Sequence, residues 1–190
     1  MDIRNWFVSD KIENKTVMAT KIINKTKIVD KTKNQIIEIY TDGSCFNNGR
    51  KNNYGGIGIY IPKLDIKFSK KIPNATNNIS ELKAILKATK FTYSKKFPNT
   101  NFVLYTDSQY SINCCTKWHK KWRWNGREKK YYKYKNRAVK NSQLIRRIVK
   151  ILTKKNNIQL KFIRAHTNNS DSHSMGNSIA DLLAKKALSN

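Results

Sequence analysis

At 190 residues and 38% hydrophobic, the chain can bury one core, and its length favours a single domain with a tail. The 39 Lys+Arg against 12 Asp+Glu give a formal charge of +27, which repels copies of the chain, favours a monomer and suits a polyanionic partner, nucleic acid first. No apolar run approaches the roughly 18 residues of a membrane span, and the N-terminus lacks the apolar stretch of a secretory signal.

Three cysteines, Cys45, Cys114 and Cys115, have no zinc spacing, and an odd count speaks against a disulfide framework. A reducing intracellular compartment is expected: cytoplasm, nucleus, or a host-cell replication site for a viral chain. An A/T-rich coding bias toward Lys, Asn and Ile accounts for part of the basic excess.

Residues 8–34 alternate Lys, Asn, Thr and isolated Ile or Val without periodicity and read as a solvated linker. From Gln35 the texture changes. Ile36, Ile37, Ile39 and Tyr40 predict a strand ending at Thr41-Asp42-Gly43-Ser44, and a loop carrying Gly49 follows. Runs at 55–61 and 64–68, parted by Pro62-Lys63, predict antiparallel strands. Ile79, Leu82, Ile85 and Leu86 predict a helix over 77–90, and residues 102–106 a short buried strand.

Residues 108–115 read as helical, as does the amphipathic stretch 144–152, whose Arg146, Arg147 and Lys150 suit a solvated face. The last strand is expected at 158–163. A terminal helix over about 176–188 would bury Ile179, Leu182, Leu183 and Lys186 on one face, with Asp181 beside that stripe. This order predicts an α/β fold, a mixed sheet covered by helices.

In a chain so poor in acids, Asp42, Glu81, Asp107 and Asp181 stand where predicted strands end or helices begin. Asp42 and Asp107 fall side by side if their strands pair in parallel, and helices supply the other two. Four carboxylates in one cleft repel unless cations neutralise them, and Mg²⁺ is the usual hard cation for carboxylates plus a phosphate. Two ions roughly 4 Å apart would bracket a scissile phosphate.

The segments Tyr-Thr-Asp42-Gly-Ser-Cys, Thr76-Asn77-Asn78-Ile-Ser-Glu81-Leu, Tyr-Thr-Asp107-Ser-Gln-Tyr, and His166 followed by Gly176-Asn177-Ser-Ile-Ala-Asp181 carry a resemblance. In this order they resemble type 1 ribonuclease H across residues 35–188. The resemblance implies a ribonuclease H-like fold, a five-stranded mixed sheet flanked by helices with a basic helical protrusion. It implies cleavage of the RNA strand of an RNA/DNA hybrid, leaving 5′-phosphate and 3′-hydroxyl ends. Asp42, Glu81, Asp107 and Asp181 would be the ligands of two Mg²⁺, with Mn²⁺ as a substitute.

By the same resemblance His166 is the mobile histidine that moves protons or helps product leave, and His173 reads as a polar loop residue. Ser44, Cys45, Asn77, Glu81 and Gln109 would line the RNA strand, and Thr76, Asn78 and Asn141 the DNA strand. Asn177, one helical turn before Asp181, can face the same cleft. Cys45 reads equally well as a small residue filling a turn.

Residues 117–140 hold eleven Lys/Arg and one acid, Glu128, interleaved with Trp118, Trp122, Trp124 and three tyrosines. Basic groups neutralise phosphates while rings stack on sugars or bases. Trp118 and Trp122 would share a helical face at i and i+4, with Trp122 or Trp124 contacting DNA and Trp118 either there or in the core.

The tail begins Met-Asp-Ile3-Arg-Asn-Trp6-Phe7, which resembles the sliding-clamp peptide of the replication factor C large subunit. Packing of Trp6 and Phe7 back onto the domain is the other reading. The expected organisation is therefore a flexible basic tail over 1–34, with a clamp-binding peptide at 3–7, and a catalytic domain over 35–190. Rivals to a stand-alone enzyme of primer or hybrid removal are a catalytically silent hybrid-binding module and a domain derived from a reverse transcriptase.

Overall fold

The computed structural model describes residues 35–94, 96–165 and 171–189. Five strands form one mixed sheet in the order β3-β2-β1-β4-β8. They are β1 (Gln35–Phe46), β2 (Tyr54–Ile61), β3 (Ile66–Pro73), β4 (Thr100–Thr106) and, last in the chain, β8 (Ile158–Phe162). β1, β2 and β3 pair antiparallel, whereas β4 joins β1, and β8 joins β4, in parallel. The helices are α1 (Asn77–Phe91), the single turn α2 (Gln109–Ile112), α3 (Ser142–Lys154) and α4 (Ser172–Lys186). Among the described residues no helix is long and apolar enough to cross a membrane.

β1 runs two residues past its expected end at Ser44. Thr41 to Phe46 pair with β2 in register from Thr41↔Ile59 to Phe46↔Tyr54, so Cys45 and Phe46 belong to a hairpin strand and not to the loop. β3 starts later than expected because residues 62–64 form a 3₁₀ turn closed by Asp65 at φ 47°. Alternation along β1 sets the two faces. Ile37 and Ile39 are fully buried in the main core with Ile59, Ile61, Leu82, Ile85, Phe91, Phe102, Leu104, Ile145 and Ile148. Tyr40 and Asp42, one residue out of phase, turn to the other face, where α4 lies.

Two glycines let the helices approach the sheet around Asp42. A Cβ at Gly43 would overlap the backbone nitrogen of Glu81 in α1, and a Cβ at Gly58, the direct partner of Asp42, would overlap the carbonyl oxygen of Ala180 in α4. α4 therefore seats small residues. Ala180, Ala184 and Ala187 are buried, whereas Leu182 is 64% exposed. This corrects the expected apolar stripe of Ile179, Leu182, Leu183 and Lys186: a glycine floor has no depth for leucine.

The protrusion also differs from expectation. After a π turn at Asn113–Lys117 and one 3₁₀ turn at Trp118–Lys121, Trp122 is extended, and β5 (Arg123–Asn125), β6 (Lys130–Lys133) and β7 (Arg137–Ala138) form a small antiparallel sheet. It is sheet where a helix was expected because Tyr131 and Trp124 anchor it. The Tyr131 amide donates to Ser142 Oγ at 2.9 Å, and the Arg146 guanidinium lies 4.7 Å from the Trp124 ring centre. Arg146 is thus a cation on an aromatic face and not part of a solvated stripe, while Arg147 and Lys150 are exposed as expected.

Adding one methyl at Gly58 should push α4 from the sheet. Gly58→Ala is expected to cost about 1–3 kcal/mol, read as a lowered denaturation midpoint with an unchanged urea slope.

Candidate active site

Each acid reaches the cleft by a different device. Asp42 sits inside β1 where its parallel partner runs out, the last β1–β4 pair being Tyr40↔Tyr105, and Asp107 follows the end of β4 directly. Glu81 lies in the second turn of α1, whose N-cap Thr76 accepts from the Ile79 amide. Asp181 lies beside Ala180, the residue that Gly58 admits to the sheet. One cleft is lined by Asp42, Ser44, Asn77, Glu81, Asp107, Gln109 and Asp181, together with Tyr110 and Lys185.

Asp42, Glu81 and Asp107 each present an oxygen, and these oxygens lie within 4.8 Å of one another. Burial, then the charges of Asp107 and Asp181, push Asp42 up to about 7. Burial and the Asp42 and Asp107 charges likewise hold Glu81 well above the usual carboxylate range. Glu81 Oε2 is buried with no hydrogen-bond partner among the described residues. Converging, desolvated, partly orphaned carboxylates fit a hard divalent cation, which would supply the missing partner and the missing positive charge. Asp181 adjoins the trio at Asp42 and pairs with Lys185 at 2.7 Å, an i,i+4 ion pair within α4.

Asn177 is 5% exposed and donates from Nδ2 to Asp107 Oδ2 at 3.0 Å, so it faces the cleft as its spacing suggests. His166 lies outside the described residues. His173 stands in the first turn of α4, its Nδ1 2.8 Å from the Tyr40 hydroxyl and 4.0 Å from Glu38, with its ring against Tyr105. These contacts tie it to β1 and β4 and make it more than a loop residue.

A second, larger groove of about 960 Å³ opens beside the acids, lined by Thr76, Asn78, Asn141, Trp118 and Trp122, with Lys133 and Lys140 on its basic side. Trp118 is 44% exposed, so it belongs to this groove and not to the core. Its ring centre lies 6.5 Å from that of Trp122, an adjacency made by the 3₁₀ turn and not by an α-helical face. Trp124 does not line the groove, being pinned between Tyr131 and Arg146. Cys45 turns to the α1 side of β1, where its thiol donates to the Ala75 carbonyl at 2.9 Å. Ile3, Trp6 and Phe7 lie outside the described residues.

Sequence reasoning passed over Asn48, Tyr110 and Lys185. Asn48 lines the groove, and its side chain accepts from the Asn77 amide at 3.1 Å. Tyr110 lines both cavities and receives a hydrogen bond from Asn141 Nδ2 at 3.3 Å. Only Lys185 carried a readable signal, its place four residues after Asp181.

A five-stranded mixed sheet with an acidic cleft where β1 outruns β4 defines the class, a ribonuclease H-like protein. The sequence model of the RNase H family matches residues 33–189, and the chain belongs to that family. It is 31% identical over 156 residues to a ribonuclease H of Schizosaccharomyces pombe (strain 972 / ATCC 24843), covering 80% of this chain and 52% of that protein. It is 32% identical over 154 residues to a ribonuclease H of Clostridium botulinum (strain Hall / ATCC 3502 / NCTC 13319 / Type A), covering 79% of this chain and 93% of that one. The chain thus spans about half the length of the yeast relative. Among solved structures, a foamy viral protease-reverse transcriptase in complex with an RNA/DNA hybrid shares the fold at a TM-score of 0.64 and 22% identity, over 92% of this chain and 23% of that one.

The raised acids fix a direction of pH dependence. Between its ordinary value of 3.8 and about 7, Asp42 holds a proton in the folded protein that the unfolded chain releases. Stability without divalent cations should therefore fall as pH rises through that window and level off above it. Asp42→Asn should flatten this slope and stabilise the cation-free protein at pH 7 by on the order of 3 kcal/mol, read by thermal unfolding in chelator.

Proposed function

We propose that the protein is a metal-dependent endoribonuclease that hydrolyses the RNA strand of RNA/DNA hybrids. The observation that carries this reading is the buried trio Asp42, Glu81 and Asp107, with Asp181 on the same cleft. These four residues would hold two Mg²⁺, with Mn²⁺ as a substitute. The chemistry expected of the bound cations is polarisation of the attacking water and charge balance on the leaving 3′-oxygen, hence 5′-phosphate and 3′-hydroxyl products.

The chain's own residues bind and orient. Asn177 fixes the Asp107 carboxylate through its 3.0 Å hydrogen bond, leaving the other oxygen of that acid to the cleft. Ser44, Asn77 and Gln109 offer short polar contacts where 2′-hydroxyls distinguish RNA from DNA. Trp118, Trp122, Lys133 and Lys140 suit the sugar-phosphate backbone of the DNA strand along the groove. His166 would serve as the mobile proton carrier.

The cellular role we favour is primer or hybrid removal during DNA replication, by a monomer in a reducing intracellular compartment, tethered to a sliding clamp through Ile3, Trp6 and Phe7. With Mg²⁺, an end-labelled hybrid should be cut while duplex DNA, duplex RNA and single-stranded RNA are spared. Asp42→Asn should lower cleavage at least about a thousandfold while hybrid binding persists; normal turnover by that variant would end the metal-site assignment.

Trp6→Ala combined with Phe7→Ala should weaken binding to a clamp in titration calorimetry and leave cleavage of a short hybrid unchanged. Unaltered clamp affinity would dismiss the tether.

A further inference from the structure

Beyond Asp42, β1 keeps its alternation, so Ser44 and then Phe46 follow Asp42 on one face. Ser44 lines the acidic cleft, and Phe46 stands roughly 13 Å from Asp42 along the strand. Phe46 is 47% exposed and stacks on Tyr54, its direct cross-strand partner, with ring centres 4.9 Å apart and planes 23° apart. On the next strand Lys71 sets its ammonium 4.1 Å from the centre of the Tyr54 ring. Three neighbouring strands thus carry cation, ring and ring in order across the sheet. β4 ends at Thr106, level with Thr41 in the parallel register, so among the described residues no strand runs beside Phe46 on the side away from β2.

An exposed phenyl ring backed by a second ring and a cation is a flat apolar face in a field of positive charge. That combination suits a nucleotide, whose base offers a π face and whose phosphate offers the counter-charge. Inside a duplex both faces of a base are covered by its neighbours, so the nucleotide able to use such a platform is an unpaired one.

We infer that Phe46, supported by Tyr54 and Lys71, is a stacking subsite for an unpaired nucleotide of the RNA strand where a hybrid gives way to single strand. It lies a few nucleotides from the bond held at Asp42. The inference rests on the hybrid-nuclease reading above and adds a preference for junctions over blunt hybrids.

The test compares one RNA/DNA hybrid in three forms: blunt, with a short single-stranded RNA extension at its 5′ end, and with the extension at its 3′ end. Initial rates give kcat and KM for wild type, Phe46→Ala and Phe46→Trp. Wild type should show a KM roughly tenfold lower for one extended form than for the blunt one. Phe46→Ala should erase that difference without moving the blunt-hybrid constants, and Phe46→Trp should keep it. Equal KM for all three forms in wild type, or an equal loss on blunt hybrid in Phe46→Ala, would overturn the subsite. Absence of any blunt-hybrid cleavage by wild type would instead overturn the nuclease reading beneath it.

Discussion

The close approach of two helices to one pair of neighbouring strands, on opposite faces of the sheet, is the constraint on which the rest of this structure depends. Gly43 admits the backbone of α1 at Glu81, and Gly58 admits that of α4 at Ala180. Because neighbouring residues of a strand face opposite ways, the two approaches bracket Asp42 from above and below. β4, ending one step short, brings Asp107 in from the side. A side chain at either glycine would separate acids that must share a cleft.

Bringing acids together has an electrostatic cost that the remainder of the chain partly offsets. Burial and mutual repulsion raise Asp42 and Glu81, and Lys185 leans on Asp181 at 2.7 Å as a built-in countercharge. Around this small acidic focus lies a strongly basic surface, densest from Lys117 to Lys140. The two signs suit different work: the basic surface attracts a polyanion from a distance, whereas the acids would act at contact through the cations proposed for them. Trp118 and Trp122 lie where these regions meet, in the groove beside the acids.

Much of this was legible in the sequence, for identifiable reasons. The acids stood out because each sits in a short motif with its own local signal, a strand run or a helix start. The sheet was legible because its strands alternate or run apolar. The small-residue face of α4 was not, since a helix that packs on glycine buries alanine and shows leucine to solvent, inverting the usual pattern. The sheet of the protrusion was hidden as well: Lys-rich, aromatic-rich sequence has no clear period, and its form is set by Tyr131 and Trp124 docking on α3 far along the chain. Tyr110 joins the cleft to the groove only through a tertiary contact with Asn141, which no local pattern announces.

The small-residue seat of α4 bears on motion. α1 is held by Leu82, Ile85, Leu86 and Phe91, but the buried face of α4 is Gly176, Ala180 and Ala184, with polar Ser174 and Asn177. Hydrophobic stabilisation scales with apolar area removed from water, so α4 is the more weakly anchored of the two. Its amides should exchange with solvent through local opening at a lower free energy than those of α1. The helix most ready to lift is thus the one bearing Asp181 and Asn177, so filling the cleft with cation would double as a clasp, closing the fold and completing the site in one event.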